Sequence, residues 1–132
     1  GKGSVDGIAV GNPVVGPGGL LGIIHSVSPT TSRVRLLTSP KSRLGVWVPR
    51  IQRHAILIGM GTSRPHVVFL EKDPKVRPGD LISTSPASTL LPPNIPIGIL
   101  QSFDKRVSFE PSGSIQLIAA PEAIDWVQVH IR

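Results

Sequence analysis

The chain has 132 residues, a formal net charge of +6 and no cysteine, which excludes disulfide bonds, thiol nucleophiles and cysteine-ligated metals. Apolar residues make up 39% of the chain, enough for a modest core, and glycine and proline contribute 14 residues each. No stretch approaches the roughly 18 apolar residues of a membrane helix, and the sequence begins abruptly at Gly1. We therefore expect a soluble fragment of a longer protein, forming one domain or two very small ones.

The first predicted element is a hairpin, in which Val14–Val15 leads into a turn at Gly16–Gly19 and Leu20–Ile24 returns. Arg33–Leu37 alternates charged and apolar residues, which predicts a strand with one exposed face. The next predicted strand, Leu44–Val48, places Leu44, Val46 and Val48 on one face and Trp47 on the other. Because Gly, Pro and Ser separate these segments, the first part of the chain is predicted to consist of short strands joined by turns.

Short apolar runs continue to the end of the chain and predict seven further strands and one short helix. The strands are predicted at Ala55–Ile58, Val67–Leu70, Leu81–Thr84, Ile97–Leu100, Val107–Phe109, Ile115–Ile118 and Val127–Ile131, and the helix at Pro121–Trp126. A spacing of about ten residues per strand, with turn signals between, indicates an all-β fold of barrels or sandwiches. We predict two small β-barrels. Residues 1–45 form the first, with 120–132 as candidates to return to it, and residues 46–119 form the second.

The positive charge is unevenly distributed, because no Asp or Glu occurs between Asp6 and Glu71. This interval, here called the basic band, holds Arg33, Arg35, Lys41, Arg43, Arg50, Arg53 and Arg64. The band is either a solvated face or a surface that attracts nucleic acid, anionic lipid or an acidic protein. Tyrosine is absent and only two Trp and three Phe are present, so stacking platforms for single strands are lacking. A phosphate-binding face, for nucleic acid or another anionic polymer, stays open as the alternative function.

Catalytic and cofactor motifs are weak in this sequence. No phosphate-binding loop or dinucleotide fingerprint is completed. The four histidines fall in or beside different predicted strands, which disfavours a metal site: His25, His54, His66 and His130. The groups for a serine hydrolase exist in His25, Asp80, Ser83 and Ser85, but Leu81 stands where a Gly-Asp-Ser motif would place the nucleophile. We therefore predict no enzyme activity, no cofactor and no metal.

Several stretches follow known patterns in a fixed order along the chain. Lys2–Val15 carries a Gly-Ser-x-x-Gly pattern, Gly19–Ile24 runs Gly-Leu-Leu-Gly, and Ser32–Pro40 contains Leu-Leu-Thr before its final Ser-Pro. Val76–Ser85 contains Gly-Asp and Thr-Ser, and Leu91–Gly98 contains Ile-Pro-Ile-Gly. In this order and spacing the stretches resemble the C-terminal half of the rod shape-determining protein MreC family, over nearly the whole chain.

The resemblance implies two small β-barrels, one of them similar to a chymotrypsin-like barrel, on the periplasmic side of the bacterial cytoplasmic membrane. It implies a non-enzymatic scaffold of the lateral peptidoglycan synthesis complex that controls rod shape. The partners it implies are a class B penicillin-binding transpeptidase, membrane partners of the MreB system and, in the full-length protein, other copies of itself. It implies no nucleic acid, and membrane attachment only through an N-terminal helix that is not in this sequence.

Two groups of residues are predicted to matter for this role. The positions expected to define turns of the fold are Gly11, Gly22, Gly61, Gly79, Asp80, Thr84, Pro93 and Gly98. The candidates for partner contact are Phe69, Leu90, Leu91, Ile95 and Phe103, with plugging of the barrel ends as the alternative role. The chain departs from the family pattern where Asn94 replaces a glycine, and we predict that Asn94 adopts the left-handed conformation that the glycine would have.

Overall fold

The computed structural model describes residues 2–104, 111–119 and 128–129, which contain ten β-strands and one short 3-10 helix at Ser4–Asp6. The predicted strand at Val107–Phe109 and the predicted helix at Pro121–Trp126 lie outside the described residues. Within the described ranges, no helix is long and apolar enough to cross a membrane. The all-β prediction is confirmed, and every other predicted strand coincides with, or overlaps, an observed one.

The first sheet contains four antiparallel strands in the order β10-β1-β2-β3. Its strands are β1 (Pro13–Gly16), β2 (Gly19–Val27), β3 (Ser32–Leu36) and β10 (Gln128–Val129). The predicted hairpin is confirmed, because Gly16 pairs with Gly19 around a two-residue turn. Within the described residues this sheet is open, with β3 at one edge.

The remaining six strands close into a barrel in the order β4-β5-β6-β9-β8-β7. They are β4 (Arg43–Val48), β5 (Arg53–Ile58), β6 (His66–Phe69), β7 (Leu81–Thr84), β8 (Pro96–Asp104) and β9 (Ser112–Leu117). All neighbouring pairs are antiparallel. Closure removes the unpaired strand edges that an open sheet exposes.

Alternation along the barrel strands sends every second side chain inward. Ala55 and Leu57 of β5 are buried, as are Ile115 and Leu117 of β9. The resulting core is large, and it includes two residues from the first sheet and its exit. Its buried members are Leu20, Leu37, Val46, Val48, Ala55, Leu57, Val67, Phe69, Ile82, Ile97, Leu100, Ile115 and Leu117. A second, separate cluster lies at the sheet, and its buried members among the described residues are Ile8, Val14 and Ile24.

The two sheets suggest where the chain divides. The barrel strand β4 begins at Arg43, so the predicted boundary after residue 45 falls inside that strand. β10 pairs with β1 through Val14 and Val129, which brings part of residues 120–132 to the first sheet. The division into two units of this extent stays a prediction.

Candidate functional site

A tight turn at Arg77–Asp80 fixes the entry to β7. Asp80 is buried, and its carboxylate accepts hydrogen bonds from Arg50 Nε at 2.6 Å, from Arg50 Nη2 at 2.9 Å and from the Arg77 amide at 2.9 Å. The hydrogen bonds from Arg50 are the main reason that the pKa of Asp80 lies below its usual value. Gly79 has a φ of 97°, in the region that favours glycine. The Gly-Asp pair therefore serves the fold of the barrel.

Thr84 organises the loop that follows β7, residues 85–95, here called the rim loop. The Thr84 hydroxyl donates to the carbonyl of Pro92 at 2.7 Å and accepts from the amide of Ile95 at 2.8 Å. The backbone of Thr84 also bonds to Asn94 and Ile95. Asn94 has a φ of 61°, which confirms that it takes the left-handed conformation in place of glycine. Pro93 lies beside it in the same turn.

The predicted turn glycines fall into two kinds. Gly11, Gly61 and Gly79 have positive φ values and lie in loops or turns. Gly22 and Gly98 do not belong to turns, since they lie inside β2 and β8. A Cβ on Gly98 would overlap Ile115 Cγ2 and would lie 2.6 Å from the carbonyl oxygen of Gln116. These two glycines therefore allow neighbouring strands to approach closely.

The five candidates for partner contact differ in exposure. Phe69 is fully buried and packs edge-on against Phe103 at 5.8 Å between ring centroids. Phe103 and Ile95 are half-buried against the same core, and Leu91 is buried. Leu90 alone among the five is exposed, at 68%. Because Phe69 is fully buried, it offers no surface to a partner. The sequence could not show this, since burial of a phenylalanine depends on packing against residues that are distant in the chain.

The groups considered for serine chemistry do not form a triad. The Asp80 carboxylate is held by Arg50 and Arg77, so it does not orient an imidazole. Ser83 is buried and donates to the carbonyl of Thr84. Ser85 Oγ lies 3.4 Å from His54 Nδ1, a contact missed in the sequence because the two residues are 31 positions apart. Within the described ranges, no group of three or more His, Asp or Glu residues is arranged to hold a metal ion.

One concavity among the described residues is a groove of about 460 Å³. It lies between the first sheet and the barrel, with the rim loop along one side. It is lined by Val10, Gly11, Ile23, Ile24, His25, Arg35, Lys41, Ser42, Arg43, Leu44, Leu90 and Leu91. Strands β2, β3 and β4 and the rim loop all contribute, so the groove exists only where the two sheets meet. We call it the junction groove.

Three members of the basic band line the junction groove, namely Arg35, Lys41 and Arg43, and none of the described lining residues is acidic. Among the described residues, none of the three has an Asp or Glu partner. By contrast, Arg50 pairs with Asp80 and Arg53 lies 3.4 Å from Glu71. Among the described residues, the fold therefore divides the band into cations that have an acidic partner and cations that do not, here called the unpaired cations. The acid-free interval was the only signal for this site in the sequence.

No described Phe, Tyr or Trp side chain lines the groove. The ring of Trp47 lies 4.7 Å from that of His54 on the barrel, tilted by 53°, and the Phe69–Phe103 pair belongs to the core. The groove thus lacks described Trp, Tyr and Phe platforms for bases, and nothing in the part of the chain that the structure describes favours the nucleic-acid alternative. The described fold is thus that of an all-β module with a cationic and partly apolar groove.

Comparison with known proteins identifies the family. The model of "Rod shape-determining protein MreC, barrel core" matches residues 1–131, and the chain belongs to this family. The cell shape-determining protein MreC of Caulobacter vibrioides is 35% identical over 128 residues, which are 96% of this chain and 35% of that protein. The chain thus spans about a third of the length of this curated relative.

Solved structures of the family have the same fold. The crystal structure of MreC from Pseudomonas aeruginosa superposes with a TM-score of 0.74 at 29% identity, covering 88% of this chain and 77% of that one. A complex between penicillin-binding protein PBP2 and MreC from Helicobacter pylori contains a chain that matches with a TM-score of 0.72, covering 89% of this chain and 74% of that one. At 14% identity this last likeness shows the fold alone.

Proposed function

We propose that this chain is the barrel core of a non-enzymatic scaffold that controls rod cell shape by holding enzymes of lateral peptidoglycan synthesis together. The observation that carries the proposal is the match of the MreC family over residues 1–131. The module acts on the periplasmic side of the cytoplasmic membrane, where these enzymes work. Membrane partners of the MreB system and self-association of the full-length protein belong to the same proposal.

The first partner in this proposal is a class B penicillin-binding transpeptidase. A complex between penicillin-binding protein PBP2 and MreC is known from H. pylori, and that MreC has the same fold as this chain. The present chain offers a surface suited to such a contact, because the exposed Leu90 stands beside the unpaired cations of the junction groove. Interfaces of this type combine an apolar centre with a polar rim.

The test is the affinity of the purified chain for the periplasmic domain of the transpeptidase from the same organism, measured by calorimetry at low and high salt. We expect binding at both, weaker at high salt because exposed charges are screened, with the remainder supplied by apolar contact. A single-stranded DNA of matched charge serves as the control and should bind weakly or not at all. Absence of transpeptidase binding at both salt concentrations would contradict the proposal, and tight, steeply salt-dependent DNA binding would favour the alternative.

A further inference from the structure

We infer that the junction groove binds an extended protein segment that places carboxylates next to an apolar side chain. This inference deepens the proposed function, on which it rests, by assigning a site and a chemistry to the partner. The occupant is a segment of the partner protein, seated between the first sheet and the barrel.

The charge of the groove points to carboxylates. Arg35 comes from β3, Arg43 from β4, and Lys41 from the connection between them, yet all three line one concavity. The folded chain gathers like charges there without a described acidic partner, an arrangement that costs free energy through repulsion. An incoming anionic group relieves this repulsion, and complementary charge also fixes the register of a bound segment.

The apolar part of the lining points to a peptide, not to an inorganic anion. Ile23 and Leu44 are half-buried beside the cations, and Leu90 extends from the rim loop with 68% of its surface exposed. The rim loop is held in place by the hydrogen bonds of Thr84, so Leu90 is presented by an anchored loop. One acidic peptide segment can supply both the carboxylates that bind the cations and an apolar side chain that contacts Leu90 and Leu44.

The concave shape of the groove also suits a single peptide segment better than it suits a flat ligand such as a membrane. The volume of about 460 Å³ falls within the range of sites that enclose small ligands. A membrane presents a plane of phosphates, which would contact the outermost cations without filling the groove. Binding of anionic lipid is therefore the competing outcome that the experiment must distinguish.

The probe is an acetylated, amidated peptide of sequence Glu-Leu-Asp-Leu-Glu, titrated into the isotope-labelled chain and followed by amide chemical shifts. We expect shifts concentrated on Ile23–His25, Arg35 and Lys41–Leu44. A Lys-Leu-Lys-Leu-Lys peptide controls for apolar contact, and vesicles containing phosphatidylglycerol control for lipid. Lys41→Glu and Arg43→Glu both change exposed positions. Each should lower the affinity of the chain for the acidic peptide and for the transpeptidase domain by about tenfold, which corresponds to about 1.4 kcal/mol.

Matched control variants separate the groove from general charge and hydrophobicity. Arg33→Glu and Arg64→Glu change exposed cations outside the groove and should alter either affinity less than twofold. Leu90→Ala should weaken binding several-fold, whereas Leu70→Ala, at a residue 74% exposed and outside the groove, should not. Circular dichroism establishes that each variant is folded.

The outcomes separate this inference from the proposed function. Transpeptidase binding that is insensitive to Lys41→Glu and Arg43→Glu overturns the inference and leaves the proposed function standing. Peptide binding in the groove without transpeptidase binding supports the inference and contradicts the named partner. Vesicle binding lost on Lys41→Glu, with no peptide binding, overturns the inference in favour of a lipid-phosphate site.

Discussion

The barrel and the open sheet are built from similar short strands, but they bury very different amounts of apolar surface. Counting described residues, the barrel closes on itself around most of a thirteen-residue buried cluster, whereas the sheet has a separate cluster of three, Ile8, Val14 and Ile24. Leu20 of the sheet and Leu37 just after it belong to the barrel's cluster. Burial of apolar surface is the main source of stability. The sheet therefore depends on its contact with the barrel for much of its stability.

The difference teaches where the proposed binding surface lies in this chain. The barrel encloses a buried apolar core, and its strand edges are paired all round. The junction groove forms where the less self-sufficient sheet lies against the barrel. Its cations come from both sides of that junction, and the groove thus requires the sheet to be docked.

The largest expected effect comes from the barrel core. Phe69→Ala removes a fully buried ring and should lower the free energy of unfolding by about 3–5 kcal/mol. Ile24→Ala in the sheet should cost less, about 2 kcal/mol, because its small cluster can collapse around the missing atoms. Urea denaturation monitored by circular dichroism measures both. Leu70→Ala, at an exposed residue, should stay within about 0.5 kcal/mol. An equal loss of unfolding free energy in Phe69→Ala and Ile24→Ala would contradict the claim that the barrel core contributes more stability than the sheet.

A pair of strand glycines tests how tightly the barrel closes. Gly98→Ala places a methyl group against Ile115 and the backbone of Gln116, and we expect a loss of about 1–3 kcal/mol from this overpacking. Gly45→Ala has nothing within 4 Å of the new atom and should be neutral or slightly stabilising, because alanine loses less backbone freedom on folding. The difference in urea midpoint between the two variants is the measurement. Equal midpoints would show that β8 and β9 have room to separate.

The Arg50–Asp80 pair should give the barrel a distinct pH dependence. Asp80→Asn removes a buried carboxylate that accepts three hydrogen bonds and should cost about 2 kcal/mol at pH 7. The folded pKa of Asp80 is lowered, so its contribution is complete above the unfolded value of about 3.9 and is lost as pH falls through the folded pKa. The gap between wild type and Asp80→Asn should therefore narrow below about pH 4.

Asp73→Asn provides the control for this pH dependence. Asp73 is exposed and pairs with Lys75 on the surface, where ion pairs contribute little because water screens them. Thermal unfolding, measured at a series of pH values for the wild type and both variants, should give the same pH dependence for Asp73→Asn as for the wild type. If Asp80→Asn also followed the wild-type curve, the buried pair would not contribute to the stability of the folded barrel.

Local features of the fold could be predicted from the sequence. The hairpin around Gly16–Gly19 and the left-handed Asn94 follow from turn chemistry, which acts over a few residues. Short apolar runs, some alternating and some continuous, predicted the described barrel strands to within a few residues, although β8 continues to Asp104, beyond the predicted end at Leu100. The absence of acids between Asp6 and Glu71 predicted a basic surface without locating it.

Features that depend on distant pairing could not be predicted. Arg50 meets Asp80 across 30 positions, and Ser85 meets His54 across 31. The order of barrel strands places β9 between β6 and β8, and the sequence gives no local signal for that. Phe69 was expected at a contact surface and lies in the core, because an apolar run does not reveal which neighbours will cover it.

Native-state hydrogen exchange of the whole chain, resolved by strand, tests the central claim that the barrel carries the stability and the sheet depends on it. We predict that the most protected amides of β4–β9 exchange only through global unfolding, and that those of β1–β3 exchange through a smaller opening with a lower free energy. Equal free energies of exchange in the two sheets, or greater protection in β1–β3, would contradict this claim.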